Sequence, residues 1–225
     1  MVKRGFFITL EGGEGGGKTT QINWLAETLT AKKYKVVTAR EPGGTPEGEK
    51  IRNLLVQRHG GNWSPMAECL MFFAARAMYV DKIIRPALED GRIVISDRFT
   101  DSTRAYQGYG LGMELSKINK LNDIVLDGFT PDLTFILDID PREGLSRSGR
   151  RLASEKLGLS QSEDRYENLD LSFHEKLRAG FLEIAKKEPE RCQVIDAGQS
   201  KEDIEAQILK IVEERLEAHK NQEGA

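Results

Sequence analysis

From Gly12 to Thr19 the chain reads Gly12-Gly13-Glu14-Gly15-Gly16-Gly17-Lys18-Thr19, followed by Thr20. This fits the phosphate-loop spacing G-x-x-x-x-G-K-[ST]. Glycines let successive backbone N–H groups turn inward into an anion-binding nest. A helix that starts at the loop aims its positive end at the same anion. Lys18 is placed to reach the β- and γ-phosphates, and the Thr19 hydroxyl to ligate Mg²⁺. The stretch therefore predicts a nucleoside triphosphate site, and leaves the phosphate acceptor open.

Further chemistry-bearing residues recur downstream. Arg40-Glu41-Pro42-Gly43-Gly44-Thr45 is a tight turn carrying an acid and a base, either a site loop or a solvated turn. A short helix from Gly48 to Gln57 carries Arg52. Phe72 and Arg76 are four apart and share a helix face, where they could grip a planar base. Spacing alone favours the plainer alternative, a core phenylalanine beside a surface arginine. Asp97-Arg98-Phe99 suits a metal ion and a phosphate, with a structural ion pair as the alternative. The segment Thr100-Asp101-Ser102-Thr103-Arg104-Ala105-Tyr106-Gln107-Gly108 is rich in hydrogen-bonding side chains. Arg147, Arg150, Arg151 and Arg165 flank a polar stretch from Ala153 to Asp164, which predicts a mobile basic lid at about 147–165.

The elements that must hold these groups follow from periodicity. Apolar runs at Phe6–Leu10, Val36–Thr38, Arg92–Ser96, Leu133–Ile139 and Gln193–Ile195 predict five strands. Helical patterns fill the gaps at 19–33, 48–57, 64–88, 115–127, 141–151, 169–187 and 200–218. Ser64-Pro65 marks a helix start, with serine as cap and proline at the first helical position. Alternating strands and helices predict an α/β fold, a doubly wound five-stranded parallel sheet flanked by helices. Ligands in such sheets bind at the carboxyl ends of strands, where the loop, Arg40 and Asp97 all lie.

Composition sets the outer bounds. At 225 residues the chain is long enough for one large domain with a substantial core. A net charge of −3 gives no global basic footprint for nucleic acid. No apolar run approaches the ~20 residues that span a bilayer. The first strand begins almost at Met1, which leaves no room for a signal peptide. Cys69 and Cys192 make no C-x-x-C pair and are expected to be reduced. A cytoplasmic location is expected.

Over nearly its whole length the chain closely resembles thymidylate kinases of the bacterial type. The match runs through Glu11-Gly12-Gly13-Glu14, Arg40-Glu41-Pro42-Gly43-Gly44-Thr45 with Ile51-Arg52, and Phe72-Phe73-Ala74-Ala75-Arg76. It continues in Asp97-Arg98-Phe99-Thr100-Asp101-Ser102, Ala105-Tyr106-Gln107-Gly108, Pro131-Asp132-Leu133-Thr134, Asp164-Arg165-Tyr166-Glu167 and Val194-Ile195-Asp196-Ala197. The resemblance implies one kinase domain of the P-loop NTPase type, the reaction ATP + dTMP → ADP + dTDP, and a homodimer. It implies Phe72 stacked on thymine, Arg76 on the thymine O4, and Thr103 and Gln107 beside the base. Tyr106 would pack on the deoxyribose, Glu14 approach the 3′-hydroxyl, and Arg52 and Arg98 hold the acceptor phosphate. Arg147 would lie on adenine. Gly15 stands where one branch of the family carries its transition-state arginine, so the resemblance is to the branch with that arginine in the lid. Arg150 and Arg151 are both candidates for it. Phe99 stands where tyrosine is common, and the segment between Arg151 and Asp164 is long.

The acceptor chemistry is simple. A phosphate monoester has a second pKa of ~6 and is already mostly a dianion at pH 7. No general base is needed, so Asp97 is expected to serve Mg²⁺ or positioning. Two rivals share the loop: a kinase of another nucleotide or nucleoside, and a switch or regulatory ATPase.

Overall fold

All six residues of Phe6–Glu11, which form β1, are buried. A strand covered on both faces belongs inside a sheet. It pairs in parallel with β3 (Ile93–Asp97) on one side and β4 (Leu133–Asp138) on the other. β2 (Val36–Arg40) lies outside β3 and β5 (Cys192–Asp196) outside β4, giving the order β2-β3-β1-β4-β5. The structure, a computed structural model, describes residues 4–56, 61–155 and 165–222.

Helices cover both faces. On one, α1 (Lys18–Ala31) and α9 (Lys201–Gln222) press Ile22, Leu25, Leu29, Ile204, Ile208 and Val212 onto Phe6, Ile8, Leu10 and Phe135. On the other, Tyr79, Val80, Ile84 and Leu126 meet Phe7, Val94 and Phe99. Beside them α8 (Leu171–Lys187) packs Phe173, Leu177 and Phe181 around Tyr106 and Ile136. α3 (Pro65–Tyr79) and α6 (Leu115–Leu126) join through Cys69, Phe73 and Ile118. Both cysteines are buried and free.

Strand register decides where the chemistry converges. Leu10 of β1 and Arg40 of β2 both stand opposite Asp97. The ends of three strands therefore open at one edge, which is where the phosphate loop leaves β1.

Three expectations change. The helix expected over 64–88 does start at Ser64, whose Oγ accepts from the Ala67 N–H at 3.3 Å. It then widens into a π-helical turn at Val80–Ile84 before α4 (Arg85–Glu89). Pro86 explains this: it has no N–H to give, and its ring crowds the carbonyl one turn earlier. The stretch after β3, for which no element was expected, is helical: α5 (Thr100–Thr103) runs into a π-helical segment at Arg104–Gly110. α9 continues to Gln222, beyond the expected end at 218. α2 (Pro46–Val56) and α7 (Pro141–Glu155) complete the set. Of the expected lid, residues 156–164 lie outside the described residues.

Candidate active site

The phosphate loop packs directly against α7. A Cβ on Gly15 would collide with the Gly144 carbonyl, and the Gly15 φ of +68° already disfavours any other residue. In this conformation no arginine can stand at that position. Lys18 donates to the carbonyls of Gly12 (3.1 Å) and Gly13 (2.8 Å). Burial lowers its pKa and the nearby Arg98 adds to this, against the carboxylates of Glu14, Asp97 and Glu11.

A cavity of about 950 Å³ opens above the loop. Its floor is Glu14 to Thr20, with Gly15, Gly16, Gly17, Lys18 and Thr19 between. Its walls carry Arg52, Phe72, Arg76, Asp97, Arg98, Thr103, Tyr106 and Gln107. Residues between Glu14 and Gln107 in sequence, with Tyr166 and Glu167, are thus gathered around one space. Gly12 and Gly13, at the start of the loop, line a second cavity of about 20 Å³ with His174. Arg147 and Arg150 do not line the large cavity. Arg147 donates to the Ala197 carbonyl (3.0 Å) and to Glu143 (2.6 Å), and Arg150 to the Ser146 carbonyl (3.3 Å). The Arg151 side chain lies outside the described residues.

Arg98 is the most constrained of these groups. Its φ of +68° lies in the left-handed region that non-glycine residues rarely enter. Three bonds hold the backbone there: Arg98 N–H to Leu10 O (3.0 Å), Glu41 N–H to Asp97 O (2.9 Å), and Phe99 N–H to Glu11 Oε1 (2.7 Å). The guanidinium donates to Gly12 O (3.0 Å), Ser102 Oγ (3.1 Å) and Glu14 Oε1 (2.9 Å). Glu14 Oε1 also accepts from the Tyr106 hydroxyl at 2.6 Å. Loop, strand end and helix are tied together through one arginine.

Arg76 is not on the surface; it is 1 % exposed. Nε donates to Glu41 (2.8 Å), and Nη2 to Phe99 O (3.1 Å) and Thr103 Oγ1 (2.9 Å). Nη1 is buried and has no partner among the described residues. Arg52 donates to Pro42 O at 2.8 Å. Thr19 Oγ1 lies 3.4 Å from Asp97 Oδ2.

Of the acids that support these groups, Glu11 and Glu68 have no role in the sequence reading, and Glu41 enters it only as the acid of a candidate site turn. Glu11 sits at the end of β1 with Oε2 taking the Ser102 hydroxyl at 2.5 Å. Glu41 supports Arg76, and Glu68 on α3 engages Arg165, Tyr166 and Gln107. Their partners are tens of residues away in sequence, so only the fold pairs them.

Comparison with known proteins fits this arrangement. A family model described as thymidylate kinase matches residues 10–208. The chain belongs to the thymidylate kinase family. It is 47 % identical over 213 residues to the thymidylate kinase of Caulobacter vibrioides, covering 95 % of this chain and 98 % of that protein. It is 48 % identical over 210 residues to that of Synechococcus sp., covering 93 % and 96 %. The crystal structure of thymidylate kinase from Ehrlichia chaffeensis superposes with a TM-score of 0.73 at 40 % identity, over 93 % of this chain and 99 % of that one. The five-stranded parallel sheet is that of this thymidylate kinase structure.

In this thymidylate kinase family member, Glu11 also makes stability depend on pH. Burial pushes its carboxyl up to about 7, helped by Asp101 and opposed by Ser102, Arg98 and the Phe99 N–H. Between ~4.5 and ~7 the folded chain holds a proton that the unfolded chain has lost, so unfolding free energy falls as pH rises. The loss is on the order of 3 kcal/mol. Denaturant titrations of the ligand-free protein at pH 5 and pH 8 should show it together with a like share from Glu41, whose carboxyl burial also pushes up to about 7, and Glu11→Gln should remove only the Glu11 share. An equal pH dependence in both proteins would mean Glu11 is ionised throughout.

Proposed function

We propose that this cavity is where the chain carries out the family's reaction, phosphorylation of dTMP to dTDP with ATP as donor, the chain acting as one kinase unit. The observation that carries the reading is the joining of two binding regions in one space. The phosphate loop alone would serve any triphosphate. Beside it stand two more arginines, Arg52 and Arg98, and an aromatic wall, which suit a second phosphorylated substrate with a base.

In this reading Phe72 stacks on thymine, Arg76 donates Nη1 to the thymine O4, and Thr103 and Gln107 border the base. The orphaned, buried Nη1 supports this: a ligand carbonyl would supply the acceptor it lacks. Tyr106 packs on the deoxyribose, where a 2′-hydroxyl would be crowded, and Glu14 approaches the 3′-hydroxyl. Arg52 and Arg98 hold the acceptor phosphate. Arg147, tied to the loop after β5, serves the adenine, and Arg150 or Arg151 the transferring phosphoryl group.

Mg²⁺ fits the donor set. Asp97 Oδ1 is buried without a partner among the described residues, and Thr19 adds a hydroxyl nearby. One carboxylate and one hydroxyl are what Mg²⁺ takes from a protein when phosphates and water supply the rest. Bound there, the ion would neutralise phosphate charge. The chain's own part is electrostatic: Lys18, Arg52 and Arg98 bring two anionic substrates into line without a base.

A homodimer is part of the same proposal. Leu70 on α3 and Ile124 on α6 are exposed apolar side chains on two helices that pack together. No described helix is long and apolar enough to cross a membrane, which is compatible with a cytoplasmic site of action.

The deciding experiment is ADP release from Mg²⁺-ATP with dTMP, dUMP, UMP, dCMP, AMP, GMP or no acceptor. Turnover should depend on dTMP and fall sharply with UMP. Equal release without acceptor would make the chain an ATPase or switch. Phe72→Ala should raise KM for dTMP by roughly 5- to 100-fold with little change in kcat, since base–aromatic stacking is worth ~1–3 kcal/mol. An unchanged KM would take Phe72 off the base.

A further inference from the structure

Glu68 stands one helical turn before Phe72 and two before Arg76, on the same face of α3. It is 1 % exposed. Oε1 is held by Arg165, which also donates to the Leu55 carbonyl at 3.0 Å. Oε2 faces the Tyr166 hydroxyl (3.0 Å) and the Gln107 side-chain amide (3.4 Å). The Gln107 amide is also 3.3 Å from the Tyr166 hydroxyl oxygen.

Donor counting fixes the orientation of Gln107. An ionised carboxylate only accepts, so the single Tyr166 proton goes to Glu68. Tyr166 then offers Gln107 only a lone pair. Both neighbours on that side are acceptors, so the amide must turn its NH₂ towards them. Its carbonyl oxygen is left as the group Gln107 can present to the cavity it lines, and among the described residues that oxygen accepts no hydrogen bond. The cavity wall thus combines one spare donor, Arg76 Nη1, with one spare acceptor, Gln107 Oε1.

That pair matches a pyrimidine with an N3–H beside a C4 carbonyl. It opposes cytosine, which has a bare N3 beside an amino group. We propose that Glu68 is a specificity-determining positioning residue: it locks the Gln107 amide and so selects uracil-type bases over cytosine. The proposal rests on the assignment of Gln107 to the acceptor base made above. Glu68 itself need touch no substrate.

The test compares kcat/KM for dUMP and dCMP, which differ only at the N3–C4 edge of the base, in wild type, Glu68→Gln, Gln107→Leu and the double variant. KM for ATP and thermal unfolding are measured alongside. Glutamine at 68 can donate as well as accept, so Gln107 is free to flip. The dUMP-over-dCMP ratio should fall about tenfold in Glu68→Gln, and no further when added to Gln107→Leu, since both act on one group. KM for ATP should hold. A merely structural role would lower stability and both acceptor rates together, leaving the ratio alone. Tyr166→Phe keeps the ring and removes one of the two acceptors; it should lower the ratio about threefold, and it decides the matter if Glu68→Gln does not fold. A ratio that falls in Gln107→Leu but stays at the wild-type value in Glu68→Gln or Tyr166→Phe overturns the role of Glu68 and leaves the base pocket standing. A ratio unmoved by Gln107→Leu overturns the base pocket assignment itself.

Discussion

Arg98→Ala is expected to lose about 10³-fold in kcat/KM for dTMP while remaining folded. Arginines that neutralise charge in phosphoryl transfer are worth ~10³–10⁵ in rate. The geometry explains why this one should be expensive to remove. Its guanidinium joins Gly12 of the phosphate loop, Glu14 and Ser102, so it bridges the proposed donor and acceptor regions. Its loss also removes a cation 2.9 Å from the half-buried Glu14 carboxylate. A negative charge would then stand where the acceptor phosphate must arrive. Arg98→Lys separates charge from shape: lysine restores the charge but not the planar fork that reaches three acceptors. It should recover only part of the loss. Steady-state kinetics with varied dTMP, beside a thermal melt, would measure both. A kcat/KM within tenfold of wild type in the alanine variant removes Arg98 from the reaction.

The positions of Arg98 and Lys18 were legible in the sequence because strands announce themselves. An apolar run broken by glycines or by an acid–base pair marks a strand end, and strand ends in a parallel sheet share an edge. The order of the five strands followed from the alternation of elements only as a class; the register that sets Leu10 and Arg40 opposite Asp97 needed coordinates. Helical segments failed where they depart from 3.6 residues per turn. Arg104–Gly110 is π-helical and rich in polar residues and glycine, so no amphipathic period exists to be read. The π-helical turn at Val80–Ile84 hid for the opposite reason: the apolar pattern continues through it. Arg76 shows the limit for side chains. Four-residue spacing put it beside Phe72, and the plainer reading placed it on the surface. Its burial depends on Glu41, thirty-five positions earlier, which sequence cannot pair with it. Glu11 and Glu68 were missed on the same ground. A buried acid is recognised by its partners, and these partners come from other elements.

Lys18→Met should lower kcat by about 10²–10³-fold, the cost of removing one donor aimed at developing charge. The methionine keeps the unbranched stem, so the test isolates the ammonium. That ammonium donates to the carbonyls of Gly12 and Gly13. These bonds hold the loop around a cation. Burial and Arg98 work against the charge there, lowering the Lys18 pKa. A triphosphate would reverse the balance by bringing several negative charges within reach of both Lys18 and Arg98. The carboxylates of Glu14, Asp97 and Glu11 offset part of the repulsion between Lys18 and Arg98, a triphosphate would offset more, and part of ATP binding should come from that relief. Lys18→Met removes one of the two cations. It should consequently weaken ATP binding less than it slows transfer: KM for ATP rises several-fold while kcat falls by orders of magnitude. Initial rates at varied Mg²⁺-ATP and saturating dTMP distinguish the two. If KM for ATP instead carries the whole effect and kcat is intact, Lys18 serves the bound triphosphate equally before and during transfer, and the charge neutralisation specific to transfer must come from the arginines.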